Sequence, residues 1–295
     1  MSLTEIFCDV DDFCKVFLPN WERTLLEESQ TETKNYKRAF SLSPSEVMTL
    51  VRYFHQSRYR DFKSFYIQQV RIYLCKAFPK LTRYNRFVEL MKSVLVPLCA
   101  YLYSRRVSSR GIAFVDSMPL RVCHNRRINR HKTFAKVAQR GKNSVDWFYG
   151  FKLHLIVNDC GDLVAFFVTA GNVDDRAVLE HLTWGLTGKL FGDKGYISKP
   201  VREMLLEKGV ELITQLRRNM KPLDISDFDK AMLRKRSLIE TINDQLKNIS
   251  LIEHSRHRCL DNFLVNLVAG LIAYSWQPKK PSLNLHSGEL AFVNV

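Results

Sequence analysis

Two short apolar runs, each ending in an aspartate, set the strongest limit on how this chain can fold. The first is Gly111-Ile112-Ala113-Phe114-Val115-Asp116-Ser117 and the second is Leu190-Phe191-Gly192-Asp193-Lys194-Gly195-Tyr196. The first is apolar at both alternations, the pattern of a central strand covered on both faces, which calls for an α/β core. A carboxylate at the end of such a strand is costly unless it is paired, hydrogen-bonded or metal-bound. In the second run, glycines on both sides of Asp193 read as a strand that delivers its carboxylate into a tight turn, the glycines letting the backbone bend. A plainer account of Asp116 is a turn or helix cap, with Ser117 and Pro119 next to it.

The stretch between and beyond these runs alternates between strand and helix patterns. Trp147 to Val157 alternates as a long strand, Asn158-Asp159-Cys160-Gly161-Asp162 is a turn, and Leu163–Thr169 returns antiparallel. Asp159 and Asp162 are turn residues. Lys152 and His154 share a face of the long strand, open either to DNA or to solvent. Asp174 reads as the N-cap of a helix reaching about Thr183, with Asp175 in its first turn. A strand at 189–193, a helix at 199–208 and a strand at 210–216 follow. After a polar connection from Arg217 to Asp229, a helix is expected over 230–249. On it Met232, Ile239, Ile242, Leu246 and Ile249 form an apolar stripe, and Arg236, Glu240, Asn243 and Lys247 form an adjoining polar stripe. Glu240 therefore sits at the edge of the buried face, although an i,i+4 pair with Arg236 on a solvated surface fits the spacing too. A last helix, Asp261–Trp276, is apolar nearly all round and reads as buried. Lys279-Lys280-Pro281 begins a loose tail.

Residues 1 to about 105 read as helical. Ser43-Pro44-Ser45-Glu46 is a capping box with proline at the first helical position, and further helices are expected at 60–78 and 85–103. Basic residues intersperse with aromatics at Lys34, Tyr36, Lys37 and Arg38, then at Arg58, Tyr59 and Arg60. The basic linker Arg105–Arg110 marks a boundary. The expected division is a helical domain over 1–109, an α/β domain over 110–277 and a tail over 278–295.

Charge points to the partner. The chain carries a formal net charge of +15, which implies nucleic acid or an acidic membrane surface. The most apolar run, Phe263 to Trp276, is broken by Asn266 and Gly270 and is shorter than the roughly 20 residues a membrane span needs. Nucleic acid is the better reading, and the helical domain is a DNA-binding candidate. From Arg121 to Lys142 there are eight Lys or Arg residues and no Asp or Glu. Arg121, Arg126, Arg127, Arg130, Lys132, Lys136, Arg140 and Lys142 are thus candidate phosphate contacts, with His124 and His131 among them. The first residues lack the basic region of a signal peptide. Seven scattered cysteines contain no Cys-x-x-Cys pair, which reads as reduced, buried thiols in a cytoplasmic protein.

Asp116, Asp193 and Glu240, at two strand ends and a helix edge, are what a two-metal phosphoryl-transfer site needs. Magnesium or manganese prefers oxygen ligands, and two ions roughly 4 Å apart can activate an attacking oxygen and stabilise a leaving one. The chain has no Gly-x-x-x-x-Gly-Lys-Ser/Thr phosphate loop, and no serine or cysteine stands in a nucleophile elbow.

Taken together, these segments resemble the DDE transposases of bacterial insertion sequences. The matching residues, in order, are Phe114-Val115-Asp116-Ser117, Trp147 to His154, Gly171-Asn172-Val173-Asp174-Asp175, Phe191 to Tyr196, and Arg236 with Ser237-Leu238-Ile239-Glu240 and Lys247. The closest likeness is to the insertion-sequence-982 family, with a catalytic domain also similar to the insertion-sequence-4 and -5 groups. The resemblance implies an RNase H-like mixed-sheet core after an all-helical N-terminal domain, with Asp116, Asp193 and Glu240 as the metal-binding triad. It further implies Mg2+ or Mn2+, two ions per site. Cleavage at the ends of an element would be followed by transfer of the freed 3′-hydroxyl into target DNA. Double-stranded DNA carrying terminal inverted repeats is the implied partner, and a homodimer or larger synaptic complex the implied assembly. Arg236 and Lys247 match the Arg-Glu-Lys part of a signature whose tyrosine would fall at Leu233, and they would hold phosphate. Lys194 is a further DNA-contact candidate. A related nuclease without strand transfer and an inactive DNA-binding regulator remain as alternatives.

Overall fold

The computed structural model describes residues 2–28, 42–143, 146–216, 219–220, 225–253 and 257–285. The basic and aromatic stretch Lys34–Arg38, and the start of the 217–229 connection at Arg217 and 221–224, lie outside them. The chain divides into two compact units, Met1–Arg105 with Leu246–Trp276, and Arg106–Gln245 with Gln277–Val295.

The first unit is helical. It holds α1 (Leu3–Glu28), α2 (Pro44–Phe54), and the short α3 (Phe62–Ser64) and α4 (Arg71–Tyr73), joined by a π-helical stretch over Phe65–Val70. These are followed by α5 (Tyr84–Ser93) and α6 (Leu95–Ser104), and by the helix Leu260–Ser275. The Ser43 capping box forms as expected, with Ser43 Oγ accepting from the Glu46 amide and the Glu46 side chain accepting from the Ser43 amide. The single helix expected over 85–103 is broken at Val94. Pro97 lacks the N–H that would continue a helix from Ser93, and it is accommodated instead in the first turn of α6. Arg52 is fully buried and stacks over the Trp276 ring at 4.8 Å, and Arg105 stacks over the same ring at 3.7 Å. The expected burial of the cysteines holds only for Cys14; Cys8 and Cys75 are exposed.

The second unit is built on one six-stranded mixed sheet. Its strands are β1 (Ile112–Cys123), β2 (Gln139–Lys142), β3 (Trp147–Asn158), β4 (Leu163–Ala170), β5 (Gly188–Gly192) and β6 (Val210–Thr214). The order is β2-β3-β1-β5-β6, with β4 also pairing along β3. β1, β3 and β4 form an antiparallel meander, whereas β5 and β6 run parallel to β1. Crossovers through α7 (Leu179–Leu182) and α8 (Lys199–Glu207) supply the parallel strands. They cover one face of the sheet, where Ala113, Val115, Ile156, Leu179, Leu182, Leu190, Tyr196, Leu205 and Val210 share a core. The connection after β6 leads to α9 (Asp227–Lys235) and α10 (Ser237–Asn248), which adjoin at Arg236 instead of forming the one expected helix; the Leu260–Ser275 helix of the first unit is α11.

Two expectations change here. β1 runs seven residues past Asp116, so that acid lies within a strand rather than at its end. The basic stretch after it holds a 3-10 turn, Asn125–Arg130, and the short strand β2. Its anchor is the buried Phe134, edge-on to Phe151 at 5.9 Å. The tail is not loose through Leu283, because Lys280 Nζ donates to Asp162 Oδ1 at 2.7 Å and the Leu283 amide donates to the Asp159 carbonyl at 2.9 Å.

Candidate active site

The sheet opens where β1 and β5 part. Their parallel pairing covers only Ile112–Phe114 against Lys189–Phe191. Asp116 and Asp193 each lie two residues beyond the last aligned pair, Phe114 and Phe191. Two residues restore the same side of the pleat, so both carboxylates come to the same end of the same cleft. The connection after β1 leads toward β2 and β3 and the one after β5 leads toward β6 on the other side, the arrangement in which open α/β sheets form crevices. Past Phe114 this edge of β1 has no strand beside it among the described residues, which also explains why Pro119 is tolerated within the strand.

Helix α10 brings the third acid. Asn243 Nδ2 donates to Asp116 Oδ2 at 2.9 Å, Arg236 Nη1 lies 3.7 Å from Asp116 Oδ1, and Arg236 Nη2 donates to Glu240 Oε1 at 2.8 Å. The Arg236–Glu240 ion pair read from the spacing is therefore present, but its arginine also faces Asp116. Glu240 is more open than its stripe implied, with its side chain 57% exposed against 22% for Asp116. Burial pushes the Asp116 carboxyl up to about 6; Arg236 opposes the rise, while the charges of Asp193 and Glu240 add to it.

Asp193 caps a 3-10 turn over Lys194–Tyr196, its Oδ1 accepting from the Gly195 amide at 2.5 Å. Gly192 and Gly195 do not bend the chain through left-handed backbone, as their flanking positions suggest they should. They matter by closeness: a Cβ at Gly195 would stand 2.7 Å from Asp193 Oδ1. Each acid is thus turned toward a protein partner, and among the described residues no three His, Cys, Asp or Glu side chains are grouped to enclose a metal ion. The donor set still suits a hard divalent cation, being carboxylate oxygen throughout. Beside it the buried Asn243 Oδ1 has no hydrogen-bond partner.

Other candidates are spread more widely. His154 is buried and Lys152 half-buried, so neither is an exposed sheet position. Lys152 Nζ donates to Asp175 Oδ1 at 2.9 Å and to the Val173 carbonyl at 2.8 Å, and His154 Nε2 pairs with Thr169 Oγ1 at 2.9 Å. Burial pushes the His154 imidazole down to about 4, keeping it neutral. Asp174 caps as expected, and its hydrogen bond with Arg176 holds its carboxyl down to about 2. Arg121, Arg126, Arg127, Arg130, Lys132, Lys136, Arg140 and Lys142 are all exposed, as is Lys194. Lys142 Nζ lies 5.7 Å from the ring of the exposed Trp147. Lys247 belongs to the first unit and pairs with Glu253 at 3.3 Å. The sequence places Asn243 on the polar stripe without giving it a role. Its spacing of three from Glu240 is the one signal that points to the site.

A family model described as a transposase DDE domain matches residues 106–260, more than half of the chain. The chain belongs to the DDE transposase family. No curated protein and no solved structure matches it. Membership brings DNA as the substrate class. Among the described residues no single helix is long and apolar enough to cross a membrane.

Proposed function

We propose that this transposase cuts phosphodiester bonds at the ends of its own insertion sequence and transfers the freed 3′-hydroxyl into target DNA, using Asp116, Asp193 and Glu240 as catalytic metal ligands. The observation that supports this reading is that Arg236 lies between Asp116 and Glu240, while Asp193 leaves the neighbouring strand β5 at the level where Asp116 leaves its pairing. An RNase H-like core is supported by an antiparallel meander continued by two parallel strands, with acids where β1 and β5 part. Kinship with the insertion-sequence-982 family rests on the motif order from Asp116 to Lys247.

Mg2+ or Mn2+, two ions per site, would be held by the three carboxylates and would supply activation of the attacking oxygen and charge neutralisation at the leaving one. Asn243 orients Asp116 through its amide hydrogen bond. Arg236, hydrogen-bonded to Glu240 and facing Asp116, offsets part of their negative charge and is placed to meet a phosphate oxygen. The exposed basic side chains from Arg121 to Lys142, with Lys194, track the DNA backbone, and Lys247 adds a further phosphate contact. We assign residues 1–109 to end binding, 110–277 to catalysis and 278–295 to the tail, and infer a cytoplasmic protein that joins two element ends as a homodimer or larger assembly.

The test is a reaction of the full chain with Mg2+ and DNA carrying the inverted repeats that flank its gene. Cleaved ends joined to target DNA are expected, whereas nicked DNA with no joined product would favour a nuclease. Alanine at Asp116, Asp193 or Glu240 should abolish cleavage and spare binding. A variant that still cleaves removes its residue from the site.

A further inference from the structure

One helical segment of the first unit is packed on one side and bare on the other. α3, the π-helical stretch and α4 follow one another without a break from Phe62 to Tyr73. Aromatic contacts fix the inward side. Phe62 and Phe65 lie against Phe54 of α2, with ring centroids 5.3 and 5.6 Å apart, and Phe62 and Tyr66 lie against Phe87 of α5 at 5.5 and 4.7 Å. The Tyr66 hydroxyl donates to the Thr82 carbonyl at 2.8 Å. The outward side carries Lys63, Ile67, Gln68, Arg71, Ile72 and Tyr73, all exposed. Ile72 is 59% and Tyr73 70% exposed, and large apolar side chains bared side by side mark a contact surface. Residues four or five apart share a face of a π-helix, so Gln68 and Ile72 stand together beside Lys63, Ile67 and Arg71. π-turns are themselves rare and concentrate at functional sites.

Charge selects the partner. From Phe62 to Val88 there are six Lys or Arg residues and no Asp or Glu, and all six are exposed. Asp61, just before the helix, is engaged as its cap, with Oδ1 accepting from the Ser64 amide at 2.9 Å and Oδ2 from Ser64 Oγ at 2.8 Å. Such a patch repels a second basic copy of this chain and draws a polyanion. Gln68 favours DNA over an anionic membrane. A carboxamide among isoleucines is costly against lipid, whereas it matches the donor and acceptor that adenine shows in the major groove, where thymine also offers a methyl group to an apolar side chain. A helix about 10–12 Å across fits that groove, which is about 12 Å wide.

Resting on the assignment of residues 1–109 to end binding, we propose that the Phe62–Tyr73 helix enters the major groove of the element end, with Gln68 and Ile72 meeting base edges and Lys63 and Arg71 the flanking phosphates.

The experiment measures binding of the full-length protein, at one fixed salt concentration, to duplex DNA carrying the inverted repeats that flank its gene and to a shuffled duplex. Gln68→Ala should weaken binding to the repeat by about 10-fold and leave the shuffled duplex unchanged. Arg71→Gln should weaken both alike, because a phosphate contact carries no sequence information. Both are surface substitutions that leave the packed side of the helix untouched. Undiminished discrimination in Gln68→Ala and in Ile72→Ala overturns the helix as the reading element while leaving end binding by the chain intact. A wild-type protein that does not distinguish the two duplexes overturns both. Tight binding to phosphatidylserine vesicles that Ile72→Ala abolishes, with repeat binding unchanged, gives the face to a membrane and also overturns the proposal.

Discussion

Glu240, the proposed third acid, follows α9 in the chain, and an ion pair fastens α9 to the sheet. Lys189, in β5, places its Nζ 2.8 and 3.0 Å from the two carboxylate oxygens of Asp229 on α9, with side-chain exposures of 15% and 8%. Replacing Lys189 with methionine keeps the stem and removes the charge. Asp229 would keep one hydroxyl donor, Ser226 Oγ at 2.7 Å. Removing one partner of a buried pair costs about 3–5 kcal/mol. The surviving hydrogen bond and the slight residual exposure bring the expected loss to about 2–3 kcal/mol. Adding Asp229→Leu removes the stranded carboxylate and should recover at least about 1 kcal/mol. Urea unfolding at pH 7, followed by tryptophan fluorescence, reads both as midpoint shifts. A Lys189→Met protein within about 0.5 kcal/mol of wild type, or a double variant weaker than the single, would refute the view that this pair clamps α9. Cleavage should fall with the single variant, since Arg236 and Glu240 follow directly after α9.

His55 is buried, shares a hydrogen bond with the Ser250 carbonyl, and is pushed by burial down to about 4. Above its ordinary value of about 6.5 neither folded nor unfolded chain protonates it. As pH falls from 6.5 to 4 only the unfolded chain takes up the proton, so about 3 kcal/mol of stability is lost; a His55→Gln protein whose stability falls just as steeply over that window would contradict this. Gly195→Ala should force the Asp193 carboxylate off the Gly195 amide and cost about 1 kcal/mol, the worth of a cap; an unchanged thermal midpoint would speak against the crowding. Replacing Arg126, Arg127 and Arg130 together with glutamine should lower the slope of log affinity against log salt by about 0.9 for each phosphate no longer neutralised, equally for any DNA sequence. An unchanged slope would take these side chains off the DNA.

How much of the site is legible in the sequence can be judged residue by residue. Asp116 and Asp193 stand out because an acid closing a doubly apolar run is rare for energetic reasons. Their partnership is not visible, since it depends on β1 and β5 being parallel neighbours with Phe114 opposite Phe191. Glu240 is reachable only through helix phase, and the break at Arg236 shows how thin that signal is. Lys152 and His154 mislead because alternation along β3 assigns faces but not what covers them. Here α7 and its preceding turn cover one face, so His154 is buried and Lys152 half-buried, with Thr169 and Asp175 for partners.

The sequence by itself determined the elements: which segments read as covered strands, where helices are capped, which stretch carries only basic charge, and the order of motifs that marks a DDE transposase. These follow from local chemistry, because a buried carboxylate, a capping box or an unbroken basic run carries its cost in the residues themselves. The tertiary structure alone decided that β1 continues past Asp116 to Cys123, that β1 and β5 stop pairing two residues before their acids, and that Asn243 and Arg236 meet Asp116 across 127 and 120 residues of chain. Those are consequences of strand register and of the crossovers that bring distant segments together, and register is set by the packing of whole faces rather than by any one stretch.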